Sequence, residues 1–184
     1  MLAQLCRLSV TNASQHLQHL RRAGLVRARK EGLYVRYRLS GDSVVRLVAA
    51  MRAVGEEHVA EVDKLIKEYL NTKDELEPVP ARELLERARD GLVTILDVRP
   101  PEEYRAGHLP GAINIPLPEV ARRTNELPAD REVIAYCRGP YCLMSFEAVA
   151  QLRKKGRKAR RLQDGYPEWK LLGLPVEHGP PGAR

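Results

Sequence analysis

The sequence has no run of about 18 apolar residues, the length a membrane-spanning helix requires, so no transmembrane helix is expected in it. Its opening, MLAQLCRLSV, reaches Arg7 after a few apolar positions. It lacks a basic start, a long apolar stretch and a small-residue cleavage site, so it does not read as a secretory signal, and a cytoplasmic location is expected. Cysteine is scarce. Cys6, Cys137 and Cys142 are too few, and odd in number, for a disulfide framework. In a reducing compartment they are expected as free thiols, one or two of them reactive. No internal repeat or long low-complexity segment is present.

What remains is a chain of 184 residues, 43% hydrophobic and 30% charged, which suits one or two small globular domains. Its net charge of +7 is unevenly placed. Arg7, Arg21, Arg22, Arg27, Arg29, Lys30, Arg36 and Arg38 all lie in residues 1–40, where Glu31 is the only acid. A basic segment of this kind is either a phosphate-binding surface or a solvated face.

Residues 2–8 are compatible with a short helix, with a break at Ser9–Val10–Thr11. NASQHLQHLRRAGLV then places Ala13, Leu17, Leu20 and Ala23 near one helical face. Thr11 or Asn12 would cap that helix and Gly24 would close it. LVRARK and YVRYRL alternate apolar and charged residues and read as strands joined by a turn at Glu31–Gly32. Residues 42–70 return to helical spacing and would pair with a second copy to form a homodimer. This order of elements is that of a winged helix-turn-helix module, expected over residues 1–72, with a linker at 73–78.

From Val79 the rhythm changes. PARELLERARDG reads as a helix, LVTILDV, INIP, EVIAYC and KARRLQD as strands, and LMSFEAVAQLRKKG and PEWKLLG as helices. Strands alternating with helices predict an α/β domain over residues 79–179, a parallel sheet flanked by helices, with a tail at 180–184. Reactive groups in such sheets sit at the carboxyl ends of strands, and Cys137 is at one. A thiol there faces backbone N–H groups and the positive end of the following helix, which favour the thiolate. Arg138 adds a cation, Gly139 permits positive φ and Pro140 stiffens the loop. A buried core cysteine fits the position equally well, and the flanking motifs decide between the two.

The segment from Leu96 to Pro116, LDVRPPEEYRAGHLPGAINIP, strongly resembles the first signature of the rhodanese family. Gly165–Tyr166–Pro167–Glu168–Trp169, with Gly173–Leu174–Pro175–Val176, resembles the second, and Cys137 falls between them. The resemblance implies a sulfurtransferase in which Cys137 attacks a sulfane-sulfur donor such as thiosulfate, becomes a persulfide and passes sulfur to a thiol acceptor. Arg138, Gly139, Pro140, Tyr141 and Cys142 would form the binding loop. Asp97 and Arg99 would support the site's edge, more by tying strand ends together than by catalysis, and His108 would serve folding. Phosphatases of the same fold place an arginine six residues after the cysteine. Here that residue is Leu143, which disfavours phosphate chemistry. Cys142 would either attack a Cys137 persulfide, releasing sulfide and leaving a disulfide, or pack as a small residue at the helix start.

Residues Leu8 to Val26 closely resemble the recognition helix of the ArsR-type winged-helix regulators, and Arg27 to Leu39 resemble the wing. The resemblance implies that Thr11, Asn12, Ser14, Gln15, Gln18, His19 and Arg22 face the major groove, where Asn and Gln read adenine edges. Arg27, Arg29, Lys30 and Arg36 would hold phosphates. The family's domain carries about two helices before the point where this resemblance begins, so this chain is expected to start inside the module. Cys6 does not align with the family's paired metal thiolates, and His58 has only an acidic neighbourhood (Glu56, Glu57, Glu61). No metal and no cofactor are expected.

Overall fold

The computed structural model describes residues 2–59, 64 and 77–179. The chain forms two compact units, Met1–Gly55 and Glu56–Arg184. Residues 60–63 and 65–76, which take in most of the expected pairing helix after His58 and most of the expected linker, lie outside the described residues, as does the tail at 180–184.

In the first unit, helix α1 (Leu2–Leu5) and helix α2 (Val10–Arg22) precede an antiparallel ribbon of β1 (Val26–Glu31) and β2 (Tyr34–Leu39), and helix α3 (Asp42–His58) follows, its last turn running past Gly55. The expected break at Ser9–Val10–Thr11 lies earlier in the chain, because α2 already begins at Val10. Its cap is Ser9, not Thr11 or Asn12. Ser9 is extended, and its Oγ accepts from the Asn12 amide at 3.2 Å, satisfying a donor the first turn leaves open. Gly24 closes the helix at φ +75°. Its amide donates to Arg21 and that of Leu25 to Leu20, a Schellman ending that only a residue at ease with positive φ adopts cheaply. The ribbon turns at Gly32–Leu33, one residue later than expected, since Glu31 still pairs with Tyr34. Only Ala13, Val26 and Val44 are buried apolar side chains among the described residues of this unit, while Leu47, Val48, Met51 and Val54 of α3 stay exposed.

The second unit is built on a parallel sheet of order β4-β3-β5-β6: β3 (Val93–Asp97), β4 (Ile113–Asn114), β5 (Glu132–Tyr136) and β6 (Ala159–Arg161). Helix α4 (Ala81–Arg89) precedes the sheet, the connections carry α5 (Pro101–Ala106), α6 (Val120–Arg123) and α7 (Leu143–Lys154), and α8 (Tyr166–Leu171) follows β6. Every residue of β3 is buried, as a parallel strand covered on both faces must be. Successive side chains point to opposite faces, and the core divides accordingly. Ile95, Ile134 and Tyr136 pack with Leu84 of α4 and with Trp169, whereas Leu96, Val133, Ala135 and Cys137 pack with Ala148, Val149 and Leu152 of α7. The alternation that buries Val133 and Ala135 thus turns the Cys137 side chain toward α7.

Candidate active site and polar helix face

Strand β5 ends at Tyr136, and Cys137 is the first residue beyond it. The chain then makes a turn in which the Cys142 amide donates to the Gly139 carbonyl at 3.1 Å, with Pro140 in the second position where its fixed φ fits. Cys142 is the N-cap of α7. Its carbonyl accepts from the Ser145 amide at 3.2 Å and from Ser145 Oγ at 2.9 Å. The leading amides of a helix have no partners within it and carry its positive end, so the loop curls around an electropositive mouth. Cys137 is 1% exposed. Cys137 and Cys142 are joined as a disulfide with their Cα atoms 6.2 Å apart, inside the span such a bond allows. Arg138 is paired: its guanidinium donates to Glu103 at 2.6 Å and reaches the Met144 sulfur at 3.2 Å. The cation expected beside the thiol is therefore largely neutralised by a residue of α5.

The second motif is pressed against this loop. The Tyr166 amide donates to the Cys137 carbonyl at 3.0 Å. A Cβ at Gly165 would lie 2.1 Å from the Gly139 nitrogen, so only glycine permits this approach. The first motif meets the second in the same way, since a Cβ at Gly107 would strike the Tyr166 hydroxyl. The three motifs, distant in sequence, close on one point.

Asp97 and Arg99 lie behind the loop and are both buried. Asp97 accepts from the Arg99 amide at 2.9 Å and from its guanidinium at 2.6 Å, and Arg99 also donates to the Gly107 carbonyl at 2.7 Å. The Tyr136 hydroxyl donates to Asp97 and accepts from the Leu109 amide. The Arg99 guanidinium lies 4.5 Å from the Tyr166 ring centre. Burial works against the Arg99 cation, but the hydrogen bond and charge of Asp97 outweigh it and raise its pKa. Burial, reinforced by the Asp97 charge, holds the Tyr136 hydroxyl far above its ordinary range, so it remains a donor. His108 is buried, stacks on Tyr104 and contacts the Tyr104 carbonyl at 2.9 Å through Nδ1. Sequence reading omitted Tyr136 and Glu103. Each stood beside a named residue or inside a named motif, but neither carried a spacing signal of its own.

In the first unit, Thr11, Asn12, Gln15, Gln18, His19 and Arg22 are exposed on α2, opposite the face of Ala13 and Leu17. Ser14 is half-buried and accepts from Gln18 Nε2 at 3.4 Å. Arg27, Arg29, Lys30 and Arg36 are exposed on the ribbon, with Arg27 opposite Arg38 and Arg29 opposite Arg36. Like charges set directly across a ribbon are unfavourable. Arg36 is partly balanced by an ion pair with Glu31. Among the described residues no group of three or more His, Cys, Asp or Glu side chains could hold a metal ion, and no helix is long and apolar enough to cross a membrane.

Comparison with known proteins agrees with the geometry. Residues 80–172 match the family model of the rhodanese-like domain. The chain is 48% identical over 174 residues to the HTH-type transcriptional regulator Rv0324 of Mycobacterium tuberculosis, covering 95% of this chain and 76% of that protein. It is 34% identical over 85 residues to a sulfurtransferase of Allochromatium vinosum, covering 46% of this chain and 78% of that protein. A crystal structure of a rhodanese-related protein from Thermoplasma volcanium superposes with a TM-score of 0.50 at 28% identity, covering 55% of this chain and 98% of the other. The parallel sheet, the ordered motifs and these matches lead to one conclusion: the chain belongs to the rhodanese-like domain family.

Proposed function

We propose that this protein is a DNA-binding transcriptional regulator whose rhodanese-like domain takes up sulfane sulfur as a persulfide on Cys137, for transfer or for sensing. One observation carries the sulfur chemistry: Cys137 directly follows the central strand β5 and, bonded to the N-cap residue Cys142, stands at the N-terminal end of the 12-residue helix α7. That end favours a thiolate and then the anionic terminal sulfur of a persulfide. The donor is an anion with a sulfane sulfur, such as thiosulfate or polysulfide, and the acceptor is a thiol. Arg138, Gly139, Pro140, Tyr141 and Cys142 form the binding loop, and Asp97 and Arg99 hold its base.

The regulator half rests on the likeness to the transcriptional regulator and on the exposed polar stripe of α2 beside the arginine-rich ribbon. The order helix, helix, ribbon, helix fits an ArsR-type winged helix. In it α2 enters the major groove, with Thr11, Asn12, Ser14, Gln15, Gln18, His19 and Arg22 toward the bases, and Arg27, Arg29, Lys30 and Arg36 hold phosphates. The exposed apolar positions Leu47, Val48, Met51 and Val54 of α3 suit pairing with a second copy. A plain sulfurtransferase with an N-terminal part that only dimerises is the competing reading. Duplex binding by the thiol and persulfide forms separates the two. Binding that differs between them supports a sensor. No binding by either, with cyanide-labile sulfur still acquired and lost in Cys137→Ser, favours the plain enzyme.

A further inference from the structure

We propose that Cys142 is a resolving thiol that discharges the sulfur held on Cys137 as sulfide and leaves the two cysteines joined, so that the domain reduces sulfane sulfur as well as carrying it. This rests on the persulfide reading of Cys137 and adds a second reacting residue to it.

Three features converge. The two sulfurs are bonded in the structure, with the Cα atoms 6.2 Å apart. Both residues are held in place for this. Cys137 is fixed through its carbonyl by the Tyr166 amide, and Cys142 is fixed by the Gly139 carbonyl on one side and Ser145 on the other. The loop conformation that these contacts hold is one in which the two sulfurs already meet. Finally, Cys137 is 1% exposed, and the partly buried Cys142 packs against the same apolar cluster that encloses it. An external thiol must reach a nearly closed site, whereas Cys142 already stands inside it. A tethered partner acts at an effective concentration on the order of millimolar or above. Resolution by Cys142 therefore competes with external acceptors.

The chemistry balances without outside oxidant. The Cys137 thiolate attacks the outer sulfur of thiosulfate, forming a sulfur–sulfur bond and expelling sulfite. The Cys142 thiolate then attacks Cys137 Sγ. The Cys142–Cys137 bond forms, the bond from Cys137 Sγ to the outer sulfur breaks, and that sulfur leaves with the electron pair as hydrosulfide. The sulfane sulfur is reduced and the two thiols are oxidised. The resulting disulfide has no thiolate, so Cys137 accepts no further sulfur until a dithiol reductant, itself oxidised to a disulfide, restores both thiols.

The test uses the full chain, reduced and freed of reductant, with thiosulfate and separately with inorganic polysulfide. Cys142→Ser is compared with wild type. Serine is a favoured N-cap residue, so α7 keeps its start. Loading is read as sulfite from thiosulfate and by intact mass with either donor. Resolution is read as sulfide from thiosulfate and as loss of two hydrogens. The expected result is equal sulfite and sulfide from wild type, which ends two hydrogens lighter. Cys142→Ser instead ends one sulfur heavier, with sulfide at background. If wild type keeps the added sulfur and releases no sulfide, the role of Cys142 is overturned and the carrier reading stands. If neither protein takes sulfur from either donor, the carrier reading falls and the inference falls with it.

Discussion

The amide of Tyr166 donates to the carbonyl of Cys137 at 3.0 Å, tying a motif near the end of the domain to the residue that follows the central strand. The neighbouring Gly165 makes that contact possible, because no side chain fits between it and the backbone of Arg138 and Gly139. The shape of the loop is therefore set partly by residues well beyond it in sequence.

Gly165→Ala is expected to push the loop away from Tyr166. Overpacking a fixed contact costs about 1–3 kcal/mol, and here the clash is with backbone. A lowered melting temperature together with weakened sulfur loading is the expected pair of results. Loading at the wild-type level would show that the apposition does not shape the loop.

The Asp97–Arg99 pair is buried, and Arg99 also donates to the Gly107 carbonyl. Removing one partner, as in Arg99→Met, leaves an uncompensated carboxylate and should cost about 3–5 kcal/mol in urea unfolding. Arg99→Lys should recover only part of this, since a single ammonium cannot reproduce the two-point contact. A loss below about 1 kcal/mol for Arg99→Met would mark the pair as dispensable.

Acid stability should depend on Glu132. Burial alone would raise its pKa, but hydrogen bonds from Arg160 and Arg87 outweigh burial and lower it. Because the folded pKa lies below the unfolded one, the carboxylate's contribution is complete above the unfolded value of about 4.3. It disappears as pH falls through the folded value. Glu132→Gln should therefore be less stable than wild type at neutral pH, and the gap should narrow on acidification. A gap that stays constant with pH would contradict the assignment.

If the ribbon holds phosphates, Arg27→Ala should weaken binding to any duplex alike and reduce the slope of log affinity against log salt by about one. Gln15→Ala or Gln18→Ala should instead relax preference at single base pairs, by roughly 1–3 kcal/mol each. Fluorescence anisotropy across a salt series and a panel of duplexes distinguishes these patterns. An unchanged slope for Arg27→Ala would remove that residue from the contact surface.

Much of the second unit was legible in the sequence. LVTILDV and EVIAYC are apolar enough to be covered on both faces, which is the mark of a parallel sheet, and the cysteine is the last residue of the second. The support beneath it was less so. Tyr136 meets Asp97 across 39 residues and Arg138 meets Glu103 across 35, pairings with no local periodicity to announce them. The start of α2 was misplaced because Ser9, Thr11 and Asn12 are all capable caps, and only backbone conformation decides among them.

The central claim is that Cys137 carries sulfane sulfur, and the most direct test is the intact mass of the reduced chain after exposure to thiosulfate or polysulfide. It is best made in Cys142→Ser, where no second thiol lies in the loop. The account predicts a gain of one sulfur atom, reversed by a dithiol and absent from the Cys137→Ser, Cys142→Ser double variant. An unchanged mass with both donors, or a gain that persists without Cys137, would contradict it.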